Sequence, residues 1–310
     1  MQETSWLVSF LAATVVAGTP LLLAALGEML AERTGILNLG VEGMMIFGAV
    51  SGFGVANSTG SLFLGVLASL LAGGVMALIH ALICVNFKGN QVVSGLALTI
   101  LGAGLAGFAG KSFVGLPLPI KFVPIPIPGL AELPVLGPVL FRQDVLIYLS
   151  LLLAVFIFLF LFKTSYGLSW RAVGEDPAAA DSAGIEVGLI RYLGTISGGM
   201  LAGLAGAYLS LAYAPSWMEN LTAGRGWIAV ALVIFGMWHP FKVLGGAYLF
   251  GGIEALTFRL QAQGVGVSPF FLQMLPYLAT VVILFWATLA NRQKAGPPKA
   301  LGLPYDRESN

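Results

Sequence analysis

Charge is what this chain of 310 residues has least of: Asp, Glu, Lys and Arg make up 9% of it, against roughly a quarter of a soluble domain. That scarcity excludes a water-soluble globule. There is one cysteine, Cys84, set in an apolar run, so an internal disulfide is impossible and neither redox chemistry nor a cysteine metal site is expected. The two histidines, His80 and His239, lie in separate segments. With no HExxH and no GxSxG, metal-dependent and triad catalysis are set aside, and no metal site is expected. A GxxxxGK[ST] phosphate loop is also missing, so any ATP used is bound by another chain. A formal net charge of +1 leaves no basic field for nucleic acid. Met1 to Ser5 contains Glu3 but no Lys or Arg, so no cleaved leader is expected and the first helix belongs to the mature protein.

What is abundant is apolar: 58% of residues are hydrophobic and 41 are Gly, with a mean hydropathy of +0.92. Small residues interleaved with Leu, Val, Ile and Phe suit helices packed closely in lipid, and predict an all-α polytopic membrane protein. Runs of bilayer length, about 17 to 25 residues, fall near Trp6–Leu26, Ile36–Ala56, Leu62–Cys84, Val92–Gly110, Val145–Phe162, Tyr192–Ala212 and Leu272–Ala290. Ile228–Trp238 and Val243–Phe258 are shorter and are split by His239-Pro240, where the proline forces a bend. The total is about nine transmembrane or partial transmembrane helices. An odd number puts the termini on opposite sides, and the basic residues Arg292, Lys294, Lys299 and Arg307 place the C-terminus inside and the N-terminus outside. Residues 1–291 then form one transmembrane domain and 292–310 a cytoplasmic basic tail.

Two connections are long. The external loop 111–143 carries Pro117, Pro119, Pro124, Pro126, Pro128, Pro134 and Pro138 and should be extended and stiff, as a lid or docking surface. The internal loop 163–191 is the most polar internal stretch. Within it, Asp176 to Gly184 reads as one short helix: Asp176 as N-cap, Pro177 at the first helical position, Ala178, Ala179 and Ala180 through it, and Gly184 as the stop. Such a helix is marginal in water and makes sense if a cytoplasmic partner's groove receives it; the plain alternative is an ordinary connector.

Glu42 lies inside an apolar span, where an ionisable group is costly and faces a cavity or a partner. Asn38 stands four residues before it, on the same face if both are helical, and Gly43 follows; the three could line a polar path. Equally, Glu42 could bond neighbouring backbone or Arg33 to fix a break in the helix. Glu254 and His80 read as structural. Gly48xxxGly52 and Gly199xxxGly203 permit close crossings, although in a chain so rich in glycine such spacings also arise by chance. Phe47, Phe53, Phe108, Trp217 and Trp227 could stack on a base or equally face lipid or core. An ion-coupled secondary transporter, with Glu42 and Glu254 as proton or sodium sites, is the rival reading to a path driven by a partner chain.

Three stretches carry a resemblance: Glu32-Arg-Thr-Gly-Ile-Leu-Asn-Leu-Gly-Val-Glu-Gly-Met-Met45, Trp170-Arg-Ala-Val-Gly-Glu-Asp-Pro-Ala-Ala-Ala180 with Ala183-Gly184, and Gly224-Arg-Gly-Trp-Ile-Ala-Val-Ala-Leu-Val-Ile-Phe-Gly-Met-Trp238. They resemble permease subunits of bacterial ABC importers, in the branched-chain amino acid, ribose and nucleoside permease family, and most of all its nucleoside or simple-sugar branch. The resemblance implies a subunit of the cytoplasmic membrane with no cofactor of its own, and a nucleoside or simple sugar moved without chemical change. It implies three partners: a second related permease, a double-cassette ATPase holding ATP and Mg, and an extracytoplasmic substrate-binding lipoprotein. It also implies that Gly174, Glu175, Asp176, Pro177, Ala178, Ala179 and Ala180 form the helix that contacts the ATPase, with Arg171 beside it and Gly184 closing it.

Overall fold

The computed structural model describes residues 2–263, 269–290 and 296–307. Among the described residues nine helices follow the apolar runs: α1 (Gln2–Glu32), α2 (Val41–Thr59), α3 (Leu62–Ala81), α4 (Gln91–Gly110), α5 (Val145–Lys163), α8 (Val187–Tyr208), α9 (Arg225–Phe235), α10 (Pro240–Ala262) and α11 (Pro269–Ala290). Between α5 and α8, in the polar connection, lie α6 (Ser165–Glu175) and the six-residue α7 (Pro177–Ser182). Among the described residues, five helical stretches are long and apolar enough to cross a bilayer: Trp6–Glu32, Leu62–Asn86, Gln91–Phe113, Val145–Lys163 and Val187–Tyr213. The chain is a helical, multi-pass membrane protein.

The centre is a bundle of α1, α2, α3 and α8, and glycine makes it possible. A methyl group at Gly203 would lie 2.1 Å from the Ser69 carbonyl oxygen of α3, and one at Gly206 would lie 2.0 Å from the Met45 carbonyl oxygen of α2. No side chain fits either place, so the backbones touch directly. Both GxxxG spacings sit at such crossings, Gly48 against Gly203 and Gly199 against Gly73; they are packing surfaces and not accidents of composition. Polar side chains add bonds across the bundle: Ser69 Oγ donates to the Gly48 carbonyl at 2.7 Å and Ser210 Oγ to the Ala49 carbonyl at 2.9 Å. His80 is structural, its ring nitrogens bonded to Ser94 Oγ at 2.9 Å and the Leu37 carbonyl at 3.1 Å. The outer faces of α3, α4 and α5 stay apolar and exposed, with Phe63, Leu71, Ile100, Phe108, Leu152 and Phe156 uncovered.

Three sequence expectations need correction. The span drawn from Ile36 starts later: residues 36–40 are not helical, because Asn38 Oδ1 accepts from Gly40 N at 3.0 Å in a local turn that competes with the helix. The first helix runs beyond Leu26 to Glu32, since its two late carboxylates find donors: Asn38 N bonds Glu28 Oε1 at 2.9 Å, and the Trp238 indole bonds Glu32. The C-terminal segment is no free tail, although Arg292 and Lys294 lie outside the described residues. Residues 296–307 run along the base of the bundle, where Ala300 N donates to the Gly174 carbonyl at 2.9 Å and Gly302 N to the Gly35 carbonyl at 3.1 Å.

The proline-rich loop 111–143 is extended only in its middle, about 114–127; it opens with the short helical turn Lys111–Phe113, and residues 128–141 form turns and the helical turn Gly137–Phe141, so the expected extended loop holds only in part. Its strands β1 (Ile125–Pro126) and β2 (Arg142–Gln143) pair antiparallel, and Leu118 N donates to the Pro215 carbonyl at 3.1 Å. The loop thus lies across the segment that follows α8, where Trp217 is buried in the core.

Candidate functional site

The α6–α7 corner is built by local rules. Thr164 caps α6, its Oγ1 accepting from Gly167 N at 3.0 Å. The Trp170 indole donates to the Leu30 carbonyl at 2.9 Å and meets Phe160 edge-on at 5.1 Å between centroids, which fastens α6 to α1 and α5. Gly174 sits where a methyl would be 2.3 Å from the Arg33 carbonyl oxygen. Then Asp176 turns the chain: its Oδ1 accepts from Ala179 N at 2.9 Å, with Pro177 next. The stop is a Schellman motif, with Ile185 N on the Ala180 carbonyl at 3.0 Å, Gly184 N on the Asp181 carbonyl at 2.9 Å, and Gly184 at φ 82°.

The corner faces outward with little cover. Glu175, Asp176, Ala179 and Gly184 are exposed, Pro177 and Ala178 half-buried, and Ala180 packs inward against Val173 and Val187. Arg171 lies over the Phe162 ring at 5.1 Å, and Arg33 over the same ring at 5.7 Å. Burial, and then the neighbouring Arg171, push the Arg33 guanidinium below its ordinary pKa, with Glu175 opposing. The C-terminal segment braces the corner from beneath: Tyr305 Oη donates to Asp181 Oδ2 at 2.9 Å, Arg307 pairs with the same oxygen at 3.0 Å, and Lys88 pairs with Asp306 at 2.5 Å.

From the corner a line of contacts leads inward. Arg33 Nη2 donates to the Trp238 carbonyl at 2.8 Å. Trp238 and Met237 hold left-handed backbone at φ 53° and 51°, a conformation that needs outside support in residues of this bulk. His239 is extended and Pro240 opens α10, so the proline bend falls where the sequence put it. Trp238 closes the chain segment of α9, which has 11 residues and is about 16 Å long. That is half of what a crossing requires.

At the opposite, N-terminal end of α9 stands Glu42. Its carboxylate accepts from Thr222 Oγ1 at 2.6 Å, Gly224 N at 2.8 Å and Gly226 N at 2.6 Å, capping α9 from another helix. Gly226 is required by this approach, since a methyl there would lie 2.6 Å from Glu42 Cα. Glu42 thus bonds a distant helix start, and not the neighbouring backbone or Arg33 that the sequence offered as its partners. Asn38 does not share a helical face with it: Asn38 lies in the turn before α2, buried, with its amide on Met44 Sδ at 3.4 Å. Gly43 is a contact point, where a methyl would meet the Leu98 carbonyl oxygen at 2.4 Å.

Next to Glu42, Arg225 and Glu254 form an ion pair between α9 and α10. Arg225 also lies over the Tyr213 ring at 5.8 Å, and Tyr213 Oη donates to Glu254 Oε1 at 3.3 Å. The pair borders a cavity of about 330 Å³ between α1, α9, α10 and α11, lined also by Leu21, Phe250, Phe258, Gln261 and Tyr277. In the sequence Arg225 carries no distinguishing local mark and Glu254 stands isolated, reading as structural. The signal available was that both are single charges in apolar segments, a pattern that asks for a partner. Among the described residues no cluster of His, Cys, Asp or Glu could hold a metal ion.

The family described as branched-chain amino acid transport system / permease component matches residues 10–289. The chain is 42% identical to the putative glucose ABC transporter permease protein TsgC13 of Haloferax volcanii, over 98% of this chain and 99% of that one. It is 36% identical to the guanosine ABC transporter permease protein NupQ of Bacillus subtilis (94% and 95% covered), and 33% identical to the nucleoside ABC transporter permease protein NupC of Lactococcus lactis (94% of each). The first two organisms each hold a further relative at 24% identity, named a glucose and a guanosine ABC transporter permease protein respectively. No solved structure matches the chain.

Proposed function

The chain belongs to the branched-chain amino acid transport permease family and is a permease subunit of an ABC transporter; from that premise we propose that it imports a nucleoside or a simple sugar across the cytoplasmic membrane. It performs no chemistry on its cargo, and ATP is hydrolysed on partner subunits. The α6–α7 corner receives the ATPase, with Glu175 and Asp176 presented to it. One observation carries this reading: the capped corner is exposed on its outer side, yet is joined through Arg33 and Trp238 to the half-length α9. The remaining assembly is a second, related permease, which the paired relatives in two organisms support, and a substrate-binding lipoprotein on the far side.

In the proposed orientation the corner and residues 296–307 are cytoplasmic and the proline-rich loop external. Following the helices from α1, the chain then makes nine passes, with residues 214–235 counted as one: an irregular descent to mid-depth followed by α9. This puts the N-terminus outside and the C-terminus inside. A secondary transporter would need carboxylates free to exchange a proton or sodium ion, whereas Glu42 holds three donors and Glu254 holds Arg225.

The test is the double substitution Glu175→Arg with Asp176→Arg. It should leave the permease in the membrane and strip the ATPase from it on copurification, with loss of uptake. Undiminished copurification and uptake would remove the coupling assignment.

A further inference from the structure

We propose that the cavity between α1, α9, α10 and α11 is where the transported molecule rests within the membrane, and that it takes an uncharged ligand bearing adjacent hydroxyls, the feature shared by a free sugar and the ribose of a nucleoside. The inference rests on the importer reading above.

Position is the first argument. Trp238, at the lower end of α9, bonds Glu32 at the end of α1, and α9 rises from there by only about 16 Å. Arg225 therefore stands near mid-depth, and Leu21, eleven residues before Glu32 in α1, lines the same cavity. A short helix that starts at mid-depth beside a cavity is an arrangement suited to holding cargo.

Charge is the second. The positive end of α9, which would otherwise attract an anionic group, is already closed by the Glu42 carboxylate. Arg225, the other positive group on the cavity, is neutralised by Glu254. A carboxylate or ammonium ligand would have to break one of these pairs, so amino acids are disfavoured. The pair still offers hydrogen bonds of both kinds. Glu254 Oε1 takes the bonds from Arg225 and Tyr213, which leaves Oε2 without a protein donor among the described residues, next to guanidinium N–H groups. A diol, which donates from one hydroxyl and accepts at the other, fits such a neighbouring acceptor and donor.

Shape is the third. Phe250, Phe258 and Tyr277 bring ring surface to the cavity and Gln261 an amide with no partner among the described residues. A volume of about 330 Å³ falls within the range of small-molecule sites, which combine apolar walls with a few placed polar groups.

The experiment uses the complete transporter in proteoliposomes, with Ala223→Cys as a reporter at the cavity wall in a Cys84→Ser background. Guanosine or glucose should slow reaction of residue 223 with a small thiol reagent, and leucine should not; which of the two protects separates a nucleoside from a free sugar. Adding Gln261→Ala or Phe258→Ala should raise the half-protective concentration by about tenfold, the effect of one lost hydrogen bond or ring contact, while Phe258→Tyr should restore it. If ATP-driven uptake of a probe persists while that probe never protects residue 223, the cavity assignment is overturned and the importer reading stands. Protection by leucine overturns the uncharged assignment. If neither guanosine nor glucose is taken up with ATP, the importer reading for these substrates falls and the inference falls with it.

Discussion

Replacing Glu42 with Leu should unfasten the start of α9. The wild-type carboxylate accepts three hydrogen bonds, from Thr222 Oγ1, Gly224 N and Gly226 N, and Glu42 itself is 8% exposed. A leucine leaves three donors without an acceptor in a place water reaches poorly. At about 1–3 kcal/mol for each unsatisfied buried donor, the loss is at least about 3 kcal/mol. Gln is intermediate, because its amide oxygen can still serve Thr222 and Gly224, which share Oε1, while its NH2 group meets the Gly226 N–H donor against donor. One bond goes, at about 1–3 kcal/mol. Thermal unfolding of the purified complex in detergent, followed by size-exclusion fluorescence, should rank wild type above Glu42→Gln above Glu42→Leu, and uptake should fall in the same order. A proton-carrying Glu42 predicts something else: Glu42→Gln as stable as wild type but unable to drive uptake. If Glu42→Leu unfolds at the wild-type temperature, Glu42 is no cap and the account of α9 is wrong.

Other substitutions follow from the same contacts. Gly206→Val puts a side chain within 2.0 Å of the Met45 carbonyl oxygen and should abolish accumulation of folded protein, whereas Gly104→Val, which faces open space, should accumulate normally; equal yields would refute the α2–α8 crossing. Ending the chain before residue 296 removes the backbone bonds to Gly174 and Gly35, and should leave the permease inserted but with weaker ATPase copurification. Tyr305→Phe alone, losing one half-buried bond of about 1 kcal/mol, should cost little. Cysteines at residues 2 and 307, in a Cys84→Ser background, should differ toward an impermeant reagent applied outside: residue 2 reacts and residue 307 does not. Reaction at both would mean a miscounted pass, most directly within 214–262.

What the sequence disclosed and what it withheld divide by separation along the chain. The α7 helix was readable because its whole specification is local, with the cap at Asp176, the proline at 177 and the stop at Gly184 inside nine residues. Apolar spans were readable because hydropathy is a property of a window. Glu42 stands out in the sequence as a carboxylate in an apolar span, but its donors lie 180 to 184 residues away, and no local rule points to them. Arg225 and Glu254 are 29 residues apart on different helices. The first helix looked finished at Leu26, since Glu28 and Glu32 read as its polar end; only Asn38 and Trp238, which bond them, make those carboxylates compatible with a buried last turn.

Three carboxylates in or at the ends of apolar segments converge on one short helix, and that explains why a chain with so little charge keeps them there. Glu42 on α2 grips residues 222–226 at the head of α9, Glu254 on α10 grips Arg225, and Glu32 on α1 grips the Trp238 indole at its foot. A full-length helix satisfies its own backbone and is held in lipid by its length. Eleven residues are not, and their first N–H groups begin far from water, so they need acceptors supplied from elsewhere. Glu42 supplies them, while Glu254 and Glu32 hold side chains, Arg225 at the head and Trp238 just past the foot. Because Trp238 also gives its carbonyl to Arg33, and Arg33 abuts Gly174, the foot of α9 is tied to the α6–α7 corner through two residues, while its head forms a wall of the cavity. A displacement of that corner by a partner has a short, stiff route to the cavity wall, and the route consists of the polar contacts that make so short a helix possible.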